Sequence, residues 1–288
     1  MTWQIEKPRS IEAFEEAVRD YLMRDEAVHN IQLGLLETLR ERGQQYSGDN
    51  FLGYVHSDGR LGGVAMRTPP YPALISKVED DKAAANLAAV LVEAFPELDG
   101  LNAPQGAASG ALGYLESVGF DWEVGMRQRL YRAASVEAPG EVAGKFRRAD
   151  DWDRERVADW FVRFQAEVAG ETEEEAREKV SGRADALLRK GEVFLWEADG
   201  EVVSMAAYAG HAPSGVRIGY VYTPPEYREQ GFGSAVTAGA TEHALDGDSE
   251  HCFLYTDLGN ETTNRIYPEI GYEPVTDQIV YRLRAPNR

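Results

Sequence analysis

The stretch from Val221 to Ala235, VYTPPEYREQGFGSA, has the residue types needed to hold a bulky anion. Two β-forming residues are followed by two prolines, which cannot continue a strand ladder, and then by Gly231 and Gly233. Glycine lets the backbone approach a ligand closely with its N–H groups pointing outward. A helix that begins here adds unpaired N–H groups and the positive end of its dipole. The pattern therefore predicts a site for a pyrophosphate.

The chain carries a second, incomplete copy of this pattern. RTPPYP at 67–72 is similar to YTPPEY at 222–227, and GYLESVGFDWEV at 113–124 is similar to RIYPEIGYEPVT at 265–276. Both pairs occur in the same order and at similar spacing, which predicts two copies of one fold. The first copy lacks glycines after Pro70 and has Leu115 where the second has Tyr267. We therefore expect the phosphate site in the second copy only.

Hydrophobic periodicity predicts mixed α and β elements in both halves. In the first half we expect strands at 3–6, 51–56, 61–67 and 124–132, and helices after Ser10 and over 26–41, 80–95 and 107–118. In the second half we expect strands at 145–148, 192–198, 201–209, 216–223, 252–257 and 276–284, and helices from about 151 and 172 and over 233–245 and 261–269. The small residues of 133–144, which include Pro139 and Gly140, suit a linker. The predicted domains are therefore 1–135 and 145–288, with 136–144 between them.

Composition limits the classes of partner. The formal charge of −19 argues against nucleic acid or an anionic membrane surface, because both require clustered Lys and Arg. We expect no membrane span and no signal peptide, since no apolar run approaches the necessary length. The single cysteine, Cys252, is compatible with a reducing cytoplasm, and the five histidines show no metal-ligand spacing. We thus expect a cytoplasmic protein without a metal, either a monomer in which the two copies form a pseudo-dimer or a homodimer.

Two motifs together resemble a known family. Arg228-x-x-Gly231-x-Gly233 after a strand is similar to the acyl-CoA-binding signature of the GNAT N-acyltransferases. The stretch that holds Asn260, Asn264 and Tyr267 is similar to the family's second conserved stretch. The resemblance covers roughly residues 145–288 and identifies the chain as a tandem member with a degenerate N-terminal copy. It implies an α/β (α+β) fold of two tandem domains, each a central mixed, mostly antiparallel sheet flanked by helices.

The resemblance also implies acetyl-CoA as the cofactor and a role for individual residues. Backbone groups of Val221, Tyr222 and Thr223 would face the pantetheine arm. The pyrophosphate would be wrapped by Glu229, Gln230, Gly231, Phe232, Gly233 and Ser234, and Arg228 of the same signature would be a further cofactor-binding residue. Asn260 and Asn264 would contact the cofactor further on, and a backbone N–H near Tyr222 would polarise the acyl carbonyl. Tyr267 would protonate the departing thiolate, because a phenol keeps its proton at neutral pH.

The general base is left open by the sequence. The family often places a carboxylate on the strand before the glycine loop, but 216–223 contains none. Glu226, just past that strand, and Asp257, at the end of the next, are the candidates, each acting through water. Bulk solvent is a third possibility, and both carboxylates are also typical turn or capping residues.

These observations predict an acetyl-CoA-dependent N-acetyltransferase. By direct attack on the thioester, the primary amine of a small molecule or an aminoacyl-type acceptor would take the acetyl group. A module that senses acyl-CoA without turnover is the alternative from another class, and a scaffold of two packed copies is the third. The identity of the acceptor does not follow from the fold.

Overall fold

The computed structural model describes residues 2–42 and 50–286, which form strands and helices in a repeating order. The first half contains β1 (Gln4–Glu6), α1 (Ile11–Met23), α2 (Glu26–Arg42), β2 (Phe51–Ser57), β3 (Arg60–Arg67), β4 (Ala73–Ile75), α3 (Asp81–Ala94), β5 (Gly100–Pro104), α4 (Ser109–Ser117) and β6 (Asp121–Ala133). The second half contains β7 (Lys145–Arg148), α5 (Arg154–Ala169), α6 (Glu173–Val180), α7 (Arg183–Lys190), β8 (Val193–Ala198), β9 (Glu201–Ala212), β10 (Gly215–Tyr222), α8 (Phe232–Leu245), β11 (His251–Asp257), α9 (Glu261–Glu269) and β12 (Glu273–Arg284).

These elements form two compact units that are not continuous in sequence. The first unit contains the chain up to Leu130, Tyr255–Glu261 and the segment from Pro274; the second contains Tyr131–Leu254 and Thr262–Glu273. The units differ from the ranges 1–135 and 145–288 because β12 pairs antiparallel with β5, from Gln278–Pro104 to Arg282–Gly100. The division of roles between the two ranges stays a prediction.

The first unit has strand order β1-β2-β3-β4-β5-β12-β6. Four of its pairs, β1–β2, β2–β3, β3–β4 and β5–β12, are antiparallel, and β4–β5 is parallel. Helices α1 and α2 pack on Val64 and Met66, while α3 and α4 bury a separate apolar cluster that includes Leu87 and Leu115. Each helix thus buries an apolar side, which supplies most of its stability.

The second unit repeats this arrangement with strand order β11-β10-β9-β8-β7. The pairs from β7 to β10 are antiparallel, and β10–β11 is parallel. One apolar cluster joins α5, α6 and α7 to the sheet, and another joins α8 and α9 to it. The expected fold class is therefore confirmed: each unit has a mixed, mostly antiparallel sheet flanked by helices.

Local sequence signals account for several of the boundaries. Thr172 and Glu175 form the predicted capping box at the start of α6. Asp199 and Gly200 both have positive φ, as the tight hairpin between β8 and β9 requires. Among the described helices, none is both long enough and apolar enough to cross a membrane.

The proposed equivalence of RTPPYP and YTPPEY is wrong. Pro69 and Pro70 lie between β3 and β4, whereas Pro224 and Pro225 lie between β10 and α8. The counterpart of β10 is β4, a strand of three residues that the sequence analysis does not predict, and β5 is missed as well. Two prolines end any strand and carry no information about which strand it is. The glycine that follows α4 and α9 is a sounder match, since it has positive φ in both copies.

Candidate active site

Strand β10 contains a β-bulge close to its carboxyl end. Gly219 pairs with Ala207 and Tyr222 pairs with Met205, so the two residues between them face one residue of β9. A bulge of this kind leaves an extra residue unpaired and bends the strand. Tyr220, within the bulge, has a left-handed backbone with φ of +51°. The bulge lies next to Tyr222, near which a backbone N–H is expected to polarise the acyl carbonyl.

Strands β10 and β11 of the second unit are paired over a short length. The parallel register between β10 and β11 runs from Gly215–His251 to Arg217–Phe253. Within the part of the chain that the structure describes, the residues of β10 beyond Arg217 are paired on the β9 side alone. The backbone of β10 from 218 to 222 thus has a free edge, where an extended ligand arm can form hydrogen bonds.

The loop from Thr223 to Gly231 is fixed by side chains at its start. The Thr223 hydroxyl lies 2.8 Å from that of Ser204. The Arg228 guanidinium donates to the Thr223 carbonyl oxygen at 2.9 Å and to the Glu167 carboxylate at 2.7 Å. The Arg228 side chain therefore braces the loop against α5.

The loop ends at an uncapped helix N-terminus. Gly231 occupies the position before α8 with φ of +79°, and no side chain there accepts a hydrogen bond from the first turn. Glu229 also has a positive φ of 62°, so left-handed and right-handed backbone conformations alternate from Glu229 to Gly231. Such alternation directs successive N–H groups to one side and forms an anion-binding concavity. Phe232 packs its ring against Val203, so it can serve a ligand through its backbone only.

Helix α3 of the first unit corresponds to α8, but its N-terminus is capped and cannot bind an anion in the same way. Asp80 caps α3 by accepting from the Ala83 N–H at 2.8 Å and also accepts from the Trp3 indole at 2.8 Å. A carboxylate at this position repels phosphate and already occupies the donors. The two units therefore differ at the feature that an anion site needs.

Tyr267 lies on α9 inside the apolar cluster beneath α8, and the residue is 5% exposed. Burial raises the pKa of its phenol to about 12, against a smaller opposing effect of a hydrogen bond with the Thr237 side chain. The phenol is thus fully protonated at neutral pH. Asn264, one turn earlier, accepts a hydrogen bond on Oδ1 from the Tyr131 hydroxyl at 3.2 Å.

The second unit brings together most of the predicted site residues on β10, the loop and the helices α8 and α9. These are Val221, Tyr222, Thr223, Glu226, Arg228, Glu229, Gln230, Gly231, Phe232, Gly233, Ser234, Asn264 and Tyr267. Asp257 and Asn260 belong to the first unit. There the Asp257 carboxylate accepts from the Gly259 N–H at 2.8 Å, and its carbonyl oxygen accepts from the Asn260 N–H at 3.0 Å.

Both predicted bases are exposed to solvent. Glu226 is exposed in the short turn Pro225–Tyr227, and Asp257 is exposed at the end of β11. Their role as bases stays a prediction. Among the described residues, no group of three or more His, Cys, Asp or Glu side chains is arranged to hold a metal ion.

Sequence reasoning missed several side chains that shape this site, namely Ser204, Glu167, Thr237 and the ring of Tyr220. Thr237 carries a signal, because it lies one helical turn after Gly233 and donates to the Gly233 carbonyl oxygen at 2.8 Å. Tyr220 could also have been found from the sequence, because Gly219 and Tyr220 interrupt the alternating residue pattern that is typical of a strand such as β10. No sequence signal points to Ser204 or Glu167, since the residues that they contact are distant in sequence.

Comparison with known proteins assigns one segment of the chain to a family. Residues 150–272 match the family model described as "Acetyltransferase (GNAT) family". This segment is a GNAT acetyltransferase domain. It contains the glycine loop, α8 and the Asn264–Tyr267 stretch, so the resemblance expected from those motifs is confirmed. No curated protein matches the sequence significantly.

Solved structures extend the GNAT likeness to the whole chain. A GCN5-related N-acetyltransferase from Sphaerobacter thermophilus has a TM-score of 0.62 at 16% identity, with 99% of this chain and 96% of that chain covered. A GNAT-family acetyltransferase from Colwellia psychrerythraea has a TM-score of 0.58 at 12% identity, with 98% and 99% covered. A tandem GNAT protein from the clavulanic acid biosynthesis pathway has a TM-score of 0.52 at 14% identity and full coverage of both chains. At these identities the likeness establishes a tandem GNAT fold.

Proposed function

We propose that this chain is an acetyl-CoA-dependent N-acetyltransferase that acetylates a primary amine of a small molecule or an aminoacyl-type acceptor. The observation that carries the proposal is the uncapped N-terminus of α8 at Gly231, directly after the bulged end of β10. In this proposal the N–H groups of the α8 first turn hold the pyrophosphate, and the free edge of β10 holds the pantetheine arm. The chain is proposed to work in the cytoplasm, without nucleic acid or membrane, as a monomer or homodimer.

The residues of the site fit this cofactor. A Cβ on Gly233 would lie 3.4 Å from the Thr223 hydroxyl, so this glycine is required less by the fold than by what approaches the helix. Acetyl-CoA supplies the activated thioester. In this proposal a backbone N–H at the bulge donates to the acyl carbonyl oxygen as negative charge develops on it, and the Tyr267 phenol holds the proton that a departing thiolate needs. Glu226, Asp257 or solvent removes the amine proton through water.

A non-catalytic acyl-CoA sensor is the alternative function, favoured by the exposure of both candidate bases to solvent. The buried, protonated Tyr267 favours the enzyme, because a sensor does not need a proton donor at this position. Incubation with acetyl-CoA and a panel of small amines, monitored by release of free thiol, distinguishes the two. Thiol release that depends on the amine supports the enzyme, whereas tight binding without release supports the sensor.

Calorimetry with acetyl-CoA tests the site itself. Gly233→Val places a branched side chain beside the helix N-terminus, and we expect it to abolish binding without unfolding the protein. Gly113→Val is the matched control, since a Cβ on this α4 glycine meets nothing within 4 Å. Unchanged acetyl-CoA affinity in Gly233→Val would contradict the proposed site.

A further inference from the structure

Tyr220 has a backbone conformation that aromatic residues rarely adopt. Its φ of +51° lies in the left-handed region, in the middle of a strand. Strain of this kind persists only where the surrounding structure imposes it, and it is concentrated at functional sites. Asp58 and Asp199 share this φ, but they lie in hairpin turns, where Asp tolerates it. Turn chemistry therefore does not account for Tyr220.

The ring of Tyr220 is anchored to helix α5. It stacks on Phe161 with ring centroids 4.2 Å apart and planes at 23°, and it lies against Phe164 at 5.4 Å. Phe161 is fully buried, so the stack rests on a fixed surface. The three rings hold one side chain of the bulge in a single orientation.

The bulge also reverses the direction of the side chains along β10. Val216 and Ile218 pack in the cluster beneath α8, whereas Tyr220 and Tyr222 pack in the cluster beneath α5. In a regular strand, residues two apart share one face of the sheet. Tyr222 lies against Trp160 with centroids 5.8 Å apart. Both residues that flank Val221 therefore pack against α5, which opposes a return of the backbone between them to a regular ladder.

We propose that Tyr220 is a positioning residue whose stacked ring holds the β10 bulge in the shape that aims a backbone N–H at the acyl carbonyl. This inference rests on the proposed function, because it needs an acyl group at the end of β10. It assigns the shape of the bulge to side chains of α5, rather than to the backbone of β10 alone. Without the ring, the strand relaxes, and the N–H turns away from the carbonyl while the pyrophosphate contacts persist.

Two cofactor analogues provide the test. Acetyl-CoA carries the carbonyl, and S-ethyl-CoA keeps two carbons on sulfur but lacks it. We expect the wild-type protein to bind acetyl-CoA about 3- to 10-fold more tightly than S-ethyl-CoA in calorimetry, which is the effect of one hydrogen bond. Tyr220→Gly permits the same φ without the ring, and we expect it to lose this preference while its Kd for S-ethyl-CoA stays unchanged. Tyr220→Phe keeps the stack and should keep the preference.

Asp199→Gly is the matched control, because it relieves the same φ of 51° at an exposed hairpin and should leave both Kd values unchanged. If Tyr220→Gly does not fold, Phe161→Leu, which removes the stacking partner, should lower the preference instead. A Tyr220→Gly or Phe161→Leu variant that keeps the full preference overturns the proposal, as does a wild-type protein without any preference. If the wild-type protein binds neither analogue, the proposed function itself fails.

Discussion

At the scale of single residues, Tyr267 offers the sharpest test of the proposed chemistry. Tyr267→Phe keeps the buried ring and removes the hydroxyl whose raised pKa keeps it protonated. General acid catalysis contributes about 10²- to 10⁴-fold, so we expect kcat to fall by that factor with little change in the Kd for acetyl-CoA. Steady-state kinetics with an accepted amine and calorimetry with acetyl-CoA are the measurements.

Tyr208→Phe is the matched control for this prediction. Tyr208 is another buried tyrosine of the second unit, and its hydroxyl lies 3.2 Å from the Ala240 carbonyl oxygen and 2.9 Å from His243 Nδ1. Loss of this hydroxyl should lower the melting temperature and leave kcat unchanged. If Tyr267→Phe behaves in the same way, Tyr267 is a structural tyrosine and the proton comes from elsewhere.

The sequence predicts those site residues whose role depends on local backbone chemistry. Gly231 and Gly233 can be recognised because a strand, a turn and a helix start follow one another within a few residues. The ring of Tyr220 cannot be recognised in this way, since its stacking partners lie on α5, far away in sequence. The family resemblance points to Tyr267, but its contact with Thr237 depends on how α8 and α9 pack.

At the scale of elements, the start of α5 depends on an ion pair. Arg147 of β7 donates to both carboxylate oxygens of Asp153, at 2.7 and 2.9 Å. Burial disfavours the charged form of Asp153, but the hydrogen bonds from Arg147 and the Asp150 N–H outweigh it and lower the pKa of the carboxyl. A lowered folded pKa stabilises the protein fully above the unfolded value of about 4, and this stabilisation is lost as pH falls through the folded value.

Asp153→Asn should therefore lower the free energy of unfolding by about 1.5–3 kcal/mol at neutral pH, the usual contribution of hydrogen bonds to a charged group. The difference from wild type should shrink below about pH 4, where the unfolded wild-type chain begins to take up a proton on this carboxyl, and should be lost as pH falls through the lower pKa of the folded state. Urea denaturation over a pH series measures both effects. Asp151→Asn is the control, since that side chain is 94% exposed. An Asp153→Asn deficit that stays constant down to pH 2 would disagree with the ion-pair account.

The N-termini of α3 and α8 predict one acetyl-CoA per chain. Asp80 caps the N-terminus of α3, whereas the position before α8 is a glycine without a capping side chain. Calorimetry should return a stoichiometry near one. A value near two would contradict the prediction that only the second unit binds acetyl-CoA. Asp80→Ala should cost about 1 kcal/mol of stability through the lost cap and should leave the stoichiometry at one.

At the scale of the whole molecule, the sequence predicts the class of fold and misses how the chain is divided. Repeated motifs indicate two similar units, and the tandem fold bears this out. The pairing of β12 with β5 could not be predicted, because the alternation of a strand is the same whichever strand it pairs with. Strand β4 was missed for a different reason, since three residues are too few to show a period.

The composition of the units predicts that the second half of the chain does not suffice alone. Tyr131 is 2% exposed and lies with Ala133 in the apolar cluster that contains Tyr267, and both residues precede the predicted linker. A fragment of residues 144–288 lacks them and also lacks β5, the partner of β12. Loss of a fully buried aromatic side chain costs about 3–5 kcal/mol, a large part of the stability of a typical domain.

We therefore expect fragment 144–288 to be less stable than fragment 131–288 and less active than the full chain. Fragment 131–288 restores Tyr131, its hydrogen bond to Asn264, and the Glu137 N–H bond to the Ile270 carbonyl oxygen. Circular dichroism melting curves and thiol release with an accepted amine compare the three proteins. Fragment 144–288 with the solubility, melting temperature and kcat of the full chain would show that residues 1–143 contribute neither to packing nor to activity.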